Sequence, residues 1–151
     1  DKQCSTFELT PSSYSSLGEE QLRDIVLAML NTHYEQMATG ETFRKSGKTD
    51  ISIPFEGHAA FISECKIWHG EKALRKAIDQ LFSYSTWRDV KVSLIVFNRD
   101  NKNYPSLLDA IDSMVNDYGY KVNKRGWRFY ATNKENEQLM QVTIQAFDLF
   151  C

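Results

Sequence analysis

Residues 47–68 read GKTDISIPFEGHAAFISECKIW, two short runs rich in apolar residues with a proline and a glycine between them. Thr49 to Ile53 alternates polar and apolar side chains, as a strand with one buried face does. Pro54 to His58 is typical of a turn. The run from Ala59 to Ile67 is mostly apolar again. The stretch therefore predicts a β-hairpin.

The second strand of this hairpin carries two charged side chains where apolar ones are expected. Because side chains alternate faces along a strand, Glu64 and Lys66 share one face and Cys65 points to the other. Burying a carboxylate and an ammonium costs free energy unless they are paired or bind a metal ion. The hairpin is therefore the first candidate for a site of chemistry.

Asp50 brings a second carboxylate to the same end of the sheet if the two strands pair. Two adjacent carboxylates repel each other, and a divalent cation removes the repulsion. Oxygen ligands without His or Cys favour Mg²⁺ or Mn²⁺, held by Asp50, Glu64 and the backbone carbonyl of Cys65. Such a metal polarises a phosphoryl oxygen and activates water, while Lys66 orients that water or neutralises developing charge.

The chain has 151 residues, 42% apolar and 25% charged, which predicts a single globular domain over residues 1–151. No apolar run approaches the roughly 20 residues that span a bilayer, so no membrane partner is expected. Three widely spaced cysteines fit neither a disulfide framework nor a zinc site, which favours a reducing, cytoplasmic location. The chain begins at Asp1 without a methionine, so we expect a fragment of a longer protein whose other domains are partners.

Charge is unevenly distributed, although the formal net charge is only −2. Residues 44–76 contain seven basic and four acidic side chains, a local net of +3. Residues 118–130 contain no acid and hold a second basic group, Lys121, Lys124, Arg125 and Arg128. A basic patch beside carboxylates suits a polyanionic substrate, although an ordinary solvated surface shows the same pattern.

Hydrophobic periodicity predicts the other elements. Helices are expected at Glu19–Ala38, Glu71–Ser85 and Pro105–Tyr118. Strands are expected at Thr42–Lys45, Val90–Phe97, Trp127–Thr132 and Gln138–Phe147. Phe7 and Leu9 alternate in the N-terminal segment and suggest a short edge strand. This order predicts an α/β domain with a central mixed sheet flanked by helices.

Asp50, thirteen intervening residues and then Glu64-Cys65-Lys66 resemble the signature of the PD-(D/E)xK nuclease superfamily, which has the restriction-endonuclease-like fold. The segment QLFSY from Gln80 to Tyr84 is similar to the QxxxY motif of one branch of that superfamily. The resemblance covers residues 19–97. It departs from the family name at Thr49, where the name has proline.

The resemblance implies a Mg²⁺- or Mn²⁺-dependent endonuclease that hydrolyses phosphodiester bonds of DNA or, less often, of RNA. Asp50 and Glu64 would bind the metal, and Lys66 would position the nucleophilic water. Gln80 would be the fourth residue of the catalytic set and would hold Lys66 or a phosphate, and Tyr84 would pack or hydrogen-bond behind it. Four lysines would contact the nucleic acid: Lys45, Lys48, Lys72 and Lys76.

Many members of this superfamily add an acid from the first helix. Glu19 is the first candidate, because the 100° step of a helix places it on the apolar side, with Val26. Glu20, Asp24 and Glu41 remain open as alternatives.

Simpler interpretations of the same residues remain open. Glu64 and Lys66 can be a structural ion pair at a sheet edge, and Gln80 and Tyr84 an ordinary exposed pair. The rival function is a non-catalytic module that keeps the nuclease fold to bind nucleic acid or another protein. The sequence leaves a homodimer open as well.

Overall fold

The structure is a computed structural model that describes residues 6–32, 38–44, 47–55, 58–85, 91–118, 120–121, 127–133 and 137–151. Its helices are α1 (Thr6–Leu9), α2 (Glu19–Asn31), α3 (Glu71–Tyr84) and α4 (Tyr104–Tyr118), with a 3₁₀ turn at Pro11–Ser13. Its strands are β1 (Thr39–Arg44), β2 (Gly47–Phe55), β3 (His58–Ile67), β4 (Lys91–Asn98), β5 (Tyr120–Lys121), β6 (Trp127–Thr132) and β7 (Leu139–Asp148). The predicted class, an α/β domain with a central mixed sheet flanked by helices, is confirmed.

The strands form one sheet in the order β1-β2-β3-β4-β7-β6-β5. The central strands β3, β4 and β7 run parallel, and the remaining neighbours pair antiparallel. Parallel neighbours need a long crossover connection. The helix α3 supplies it from β3 to β4, and α4 lies in the longer connection from β4 to β7.

The helices α3 and α4 cover one face of the sheet. Their apolar side chains recur at helical spacing, and Ile78 of α3 and Ile111 of α4 are fully buried. They belong to one core with the even-numbered side chains of the central strands, such as Ile62, Leu94 and Val142. This face of the sheet carries the larger of the two apolar cores.

The helices α1 and α2 cover the other face near the C-terminal ends of the parallel strands. Leu22 and Val26 of α2 pack in a second core with Cys65 and Phe97 of the sheet. Within the described residues, no helix combines the length and the apolar character needed to cross a bilayer.

The N-terminal segment differs from its prediction, because Phe7 and Leu9 lie in the helix α1 and not in an edge strand. Phe7 is fully buried and contacts the rings of Tyr14, Phe97 and Phe147 at centroid distances of 4.9, 5.2 and 5.8 Å. Leu9 is 77% exposed. The alternation of two apolar residues was therefore misleading, since only one of them is buried.

The helix α2 ends earlier than predicted, at Asn31 instead of Ala38. The Asn31 side chain hydrogen-bonds both backbone groups of Ala38, accepting from its N–H at 2.9 Å and donating to its carbonyl at 3.1 Å. These bonds tie the last residue of α2 to the residue that precedes β1. Residues 33–37, which the predicted helix included, lie outside the described residues.

The predicted hairpin exists as β2 and β3, but its turn is shorter than predicted. Pro54 lies inside β2 at a register shift after Ile53, where a proline without an N–H is tolerated. His58 begins β3. After β3, Gly70 has a φ of +98°, which allows the chain to turn into α3.

The aromatic contacts of Phe7 predict that α1 stabilises the sheet. Phe7→Ala should lower the free energy of unfolding by about 3–5 kcal/mol, because it leaves a cavity among three rings. Leu9→Ala on the same helix is the matched control and should change it by less than about 0.5 kcal/mol. Urea unfolding followed by circular dichroism measures both, and equal effects would show that α1 does not pack as described.

Candidate active site at the fork between β2 and β3

The strands β2 and β3 pair from Phe55 to Ile51 of β2 and then separate, because β2 continues along β1 while β3 continues along β4. A fork therefore opens beyond the pair formed by Ile51 and Ser63. Asp50 is the first residue of β2 inside the fork. Residues 64–67 form the β3 side.

The N–H groups of Cys65 and Ile67 point into the fork, where two carboxylates replace the missing strand. Asp50 Oδ2 accepts the N–H of Cys65 at 2.8 Å. Glu19 Oε2 accepts the N–H of Ile67 at 3.1 Å. An unpaired buried N–H costs about as much as a lost hydrogen bond, so these carboxylates stabilise the separated strands. They also tie the first residue of α2 to β3.

Lys66 lies among three carboxylates. Its Nζ is 3.0 Å from Glu19 Oε1, 3.2 Å from Glu64 Oε2 and 3.9 Å from Asp50 Oδ2. Glu64 Oε1 also accepts the backbone N–H of Asp50 at 3.3 Å. Glu64 is only 2% exposed, whereas 26% of the Lys66 side chain is exposed. We call these four residues, Glu19, Asp50, Glu64 and Lys66, the fork cluster.

Burial shapes the protonation of the fork cluster. Burial and the neighbouring Asp50 carboxylate raise the pKa of Glu64 from its ordinary 4.5 to about 7, although Lys66 opposes the shift. Burial alone would lower the pKa of Lys66, but the surrounding carboxylates outweigh it and hold that pKa above its ordinary value. Lys66 therefore stays protonated at neutral pH. When every group is ionised, three negative charges surround one positive charge, a net of −2.

The fork offers oxygen ligands of the type that Mg²⁺ and Mn²⁺ bind. The N–H and C=O of a strand residue point to the same side, so the carbonyl of Cys65 faces the fork beside Asp50 and Glu64. Two carboxylates and one carbonyl leave several positions for water on a Mg²⁺ ion. Within the described part of the chain, no three His, Cys, Asp or Glu side chains are arranged to hold a metal. The protein would therefore supply few ligands, and a divalent charge would balance the net charge of −2.

Gln80 and Tyr84 form a pair on α3, in which Gln80 Nε2 donates to Tyr84 Oη. Gln80 is exposed and Tyr84 is buried. Among the described residues, the Gln80 amide bonds only Tyr84 and makes no hydrogen bond to Lys66. Of the two roles expected for Gln80, holding Lys66 or holding a phosphate, the first is taken by Glu19, and the second stays a prediction.

The other residues predicted for the site make none of the hydrogen bonds or ion pairs described above for the fork cluster. Lys72 and Lys76 are exposed on α3. Lys48 lies in β2, and Lys45 is outside the described residues. Of the alternative acids, Glu20 is exposed and Asp24 pairs with Arg23 at 2.9 Å. The alternative Glu41 lies in β1.

The backbone N–H groups of Cys65 and Ile67 belong to the site, although no pattern in the sequence indicated them. These N–H groups need side-chain acceptors because β2 separates from β3 at the fork. The alternation of side chains along a strand does not show where a neighbouring strand separates from it. The Cys65 thiol lies on the opposite face, in the core with α2, and burial raises its pKa well above the ordinary value. It has no part in the fork cluster.

Comparison of this chain with protein-family models, with curated proteins and with solved structures found no match. The fold and the fork cluster define an α/β protein with carboxylates gathered around a lysine where two strands separate. The chemistry of that cluster is the basis for assigning a function.

The raised pKa of Glu64 predicts a pH-dependent stability. The folded protein holds this proton more tightly than the unfolded chain, so the stabilising contribution is complete below about pH 4.5 and is lost as the pH rises through about 7. Glu64→Gln removes this loss. Relative to wild type, the variant should therefore gain stability from pH 5 to pH 8, by at most about 3 kcal/mol.

Thermal unfolding in EDTA at several pH values measures this difference, with the exposed Glu20→Gln on α2 as the matched control. Parallel pH profiles for wild type and Glu64→Gln would contradict a Glu64 that titrates near neutrality.

Proposed function

We propose that this chain is a Mg²⁺- or Mn²⁺-dependent nuclease domain that hydrolyses phosphodiester bonds, with DNA as the favoured substrate. The restriction-endonuclease-like fold belongs to the same proposal. The observation that carries it is the fork cluster, where Lys66 Nζ lies 3.2 Å from Glu64 and 3.9 Å from Asp50. Gathering one buried and three half-buried charges in this way costs desolvation free energy, and catalysis is a physical reason to retain them.

Lys66 acts as a hydrogen-bond donor and a positive charge in this proposal. The surrounding carboxylates hold its pKa above the ordinary value, so it does not serve as a base at neutral pH. The ammonium would orient the attacking water and stabilise the negative charge that develops on the phosphoryl oxygens. Glu19 holds the ammonium from the α2 side at 3.0 Å and limits the directions in which it can donate.

Asp50, Glu64 and the carbonyl of Cys65 would hold the divalent cation. When bound there, such a cation polarises the phosphoryl oxygen and lowers the pKa of a bound water. Asp50 also keeps the Cys65 N–H at 2.8 Å, so it fixes one edge of the site whether or not a metal is bound. The pKa of Glu64 is about 7 without a metal. A bound divalent cation would favour the ionised carboxylate, because it adds a second positive charge beside Lys66.

The substrate class follows from charge. The segment 44–76 has a net charge of +3, and the exposed Lys72 and Lys76 extend along α3 from the β3 end that carries the fork cluster. Phosphodiester chains are the polyanions that such a surface attracts. Gln80 and Tyr84 would stiffen α3 beside this surface. Other domains of a longer protein, or a second copy in a homodimer, would add contacts to the substrate.

A non-catalytic module that binds nucleic acid or protein is the second candidate. It is favoured by the internal pairing of the fork cluster, since each of its carboxylates already accepts a hydrogen bond from a backbone N–H of β2 or β3. In that case the cluster is a structural cap for the fork. Asp50→Asn would then leave ligand binding unchanged.

Cleavage assays test the nuclease proposal. Purified protein is incubated with plasmid DNA or single-stranded oligonucleotides and Mg²⁺ or Mn²⁺. Lys66→Ala should reduce the cleavage rate by about 100-fold or more, because the charge on the phosphoryl group loses its stabilising partner. Asp50→Asn should reduce it similarly while keeping an acceptor for the Cys65 N–H.

The exposed Lys102→Ala, in the loop after β4, is the control and should cleave like wild type. Equal rates for wild type and Lys66→Ala would trace the activity to a contaminant and reject the enzyme. Calorimetric titration with Mn²⁺ separates the two candidates, because only the nuclease requires Asp50 for heat of binding.

A further inference from the structure

The sheet has an open area on the face opposite to α3 and α4. On that side α2 packs on β1, β2 and β3, and α1 packs on the C-terminal end of β7. The outward side chains of β6 are exposed, and those of β7 up to residue 145 are exposed or half-buried. We call this area the open face; it comprises Lys91, Arg128, Tyr130, Thr132, Leu139, Gln141, Thr143 and Gln145.

The strand register places the side chains of the open face in rows that cross the three adjacent strands β4, β7 and β6. Lys91 of β4, Gln141 of β7 and Tyr130 of β6 form one row. Thr143 and Arg128 form the next row, and Ser93, the β4 residue in line with them, is buried. Neighbouring strands are about 4.8 Å apart and alternate residues about 7 Å apart along a strand, so the two cations lie about 12 Å apart across the rows.

Both cations are available to bind an external anion. Neither Lys91 nor Arg128 forms a salt bridge with any residue that the structure describes. By contrast, Arg23, Arg75 and Arg99 each pair with a neighbouring carboxylate. The open face contains no acid. Its charge is therefore positive and uncompensated, which repels a second copy of the same face.

Tyr130 adds a stacking surface beside Arg128 on β6, in the same row as Lys91. Its side chain is 39% exposed, although most large apolar and aromatic side chains of the sheet are buried. Gln141 lies directly across from it and Thr143 one position further along the same face. A flat sheet with an aromatic ring, amides and isolated cations suits unpaired bases joined by phosphates.

We propose that the open face binds single-stranded nucleic acid. Tyr130 stacks on a base, Lys91 and Arg128 contact two different phosphates, and Gln141 and Thr143 donate to base edges or sugar oxygens. Glu64 and Lys66 of the fork cluster lie on the opposite face of the sheet from the open face, as the register of β3 with β4 and of β4 with β7 shows. The inference is independent of the nuclease proposal, because it requires neither a metal nor cleavage.

Binding in EDTA tests the proposal without any contribution from catalysis. A fluorescent single-stranded oligonucleotide is titrated with the full chain, and its anisotropy is recorded at several salt concentrations. Tyr130→Ala should weaken binding roughly 5- to 100-fold, whereas Tyr130→Phe should bind nearly as wild type because the ring remains. The double variant Lys91→Ala/Arg128→Ala should lower the salt slope by about 1.4, from two lost phosphate contacts.

Lys102→Ala is the control for loss of one surface charge and should bind like wild type. A duplex of the same sequence should bind more weakly than the single strand. The proposal is overturned if Tyr130→Ala and the double variant bind like wild type, or if wild type does not bind the oligonucleotide. It is also overturned if these substitutions instead change the mass measured by light scattering, since the face would then join two copies of the chain. If the protein fails to cleave DNA but binds the single-stranded oligonucleotide as described, the nuclease proposal is rejected and this inference stands.

Discussion

The backbone N–H groups that β2 leaves unpaired on β3 are the constraint on which this structure depends. A strand buried in a sheet must satisfy its polar groups on both edges. On one edge, β4 pairs with residues 62–67 of β3 and satisfies the backbone groups that point to that side. On the other edge, the carboxylates of Asp50 and Glu19 accept the N–H groups of Cys65 and Ile67. Side chains thus complete the ladder, and charge is brought into a place where an ordinary sheet has none.

The fork has an electrostatic consequence as well as a structural one. Carboxylates that cap a fork repel each other, and Glu64 adds a third negative charge that is almost fully buried. Lys66 offsets one of these charges, and the raised pKa of Glu64 reflects the excess that remains. A cation bound at the fork would relieve the repulsion, so metal affinity and folding stability would be linked. The cluster can therefore stabilise the fold and support chemistry with the same groups.

The two faces of the sheet are covered to different extents. The long helices α3 and α4 follow β3 and β4 and cover one face along its length, whereas α1 is a single turn and α2 packs mainly on β1 to β3 and on the C-terminal end of β4. The strands β4, β7 and β6 are therefore left partly uncovered on the second face. Polar side chains alternate with buried ones there, which is why the open area is hydrophilic rather than a defect in the core.

The sequence by itself determined the elements whose periodicity is long and regular, and the sharing of one face by Glu64 and Lys66. Helices α3 and α4 and strand β6 have nearly their predicted bounds, because amphipathic spacing depends only on neighbouring residues. Once the resemblance pointed to an acid on the first helix, Glu19 was singled out among four acids by its helical angle. Tertiary structure decided that it reaches Lys66, that α2 ends where Asn31 bonds Ala38, and that Phe7 enters an aromatic core from a helix. It also decided where β2 leaves β3. These features depend on contacts between residues far apart in the chain, and no local pattern encodes which partner will be within reach.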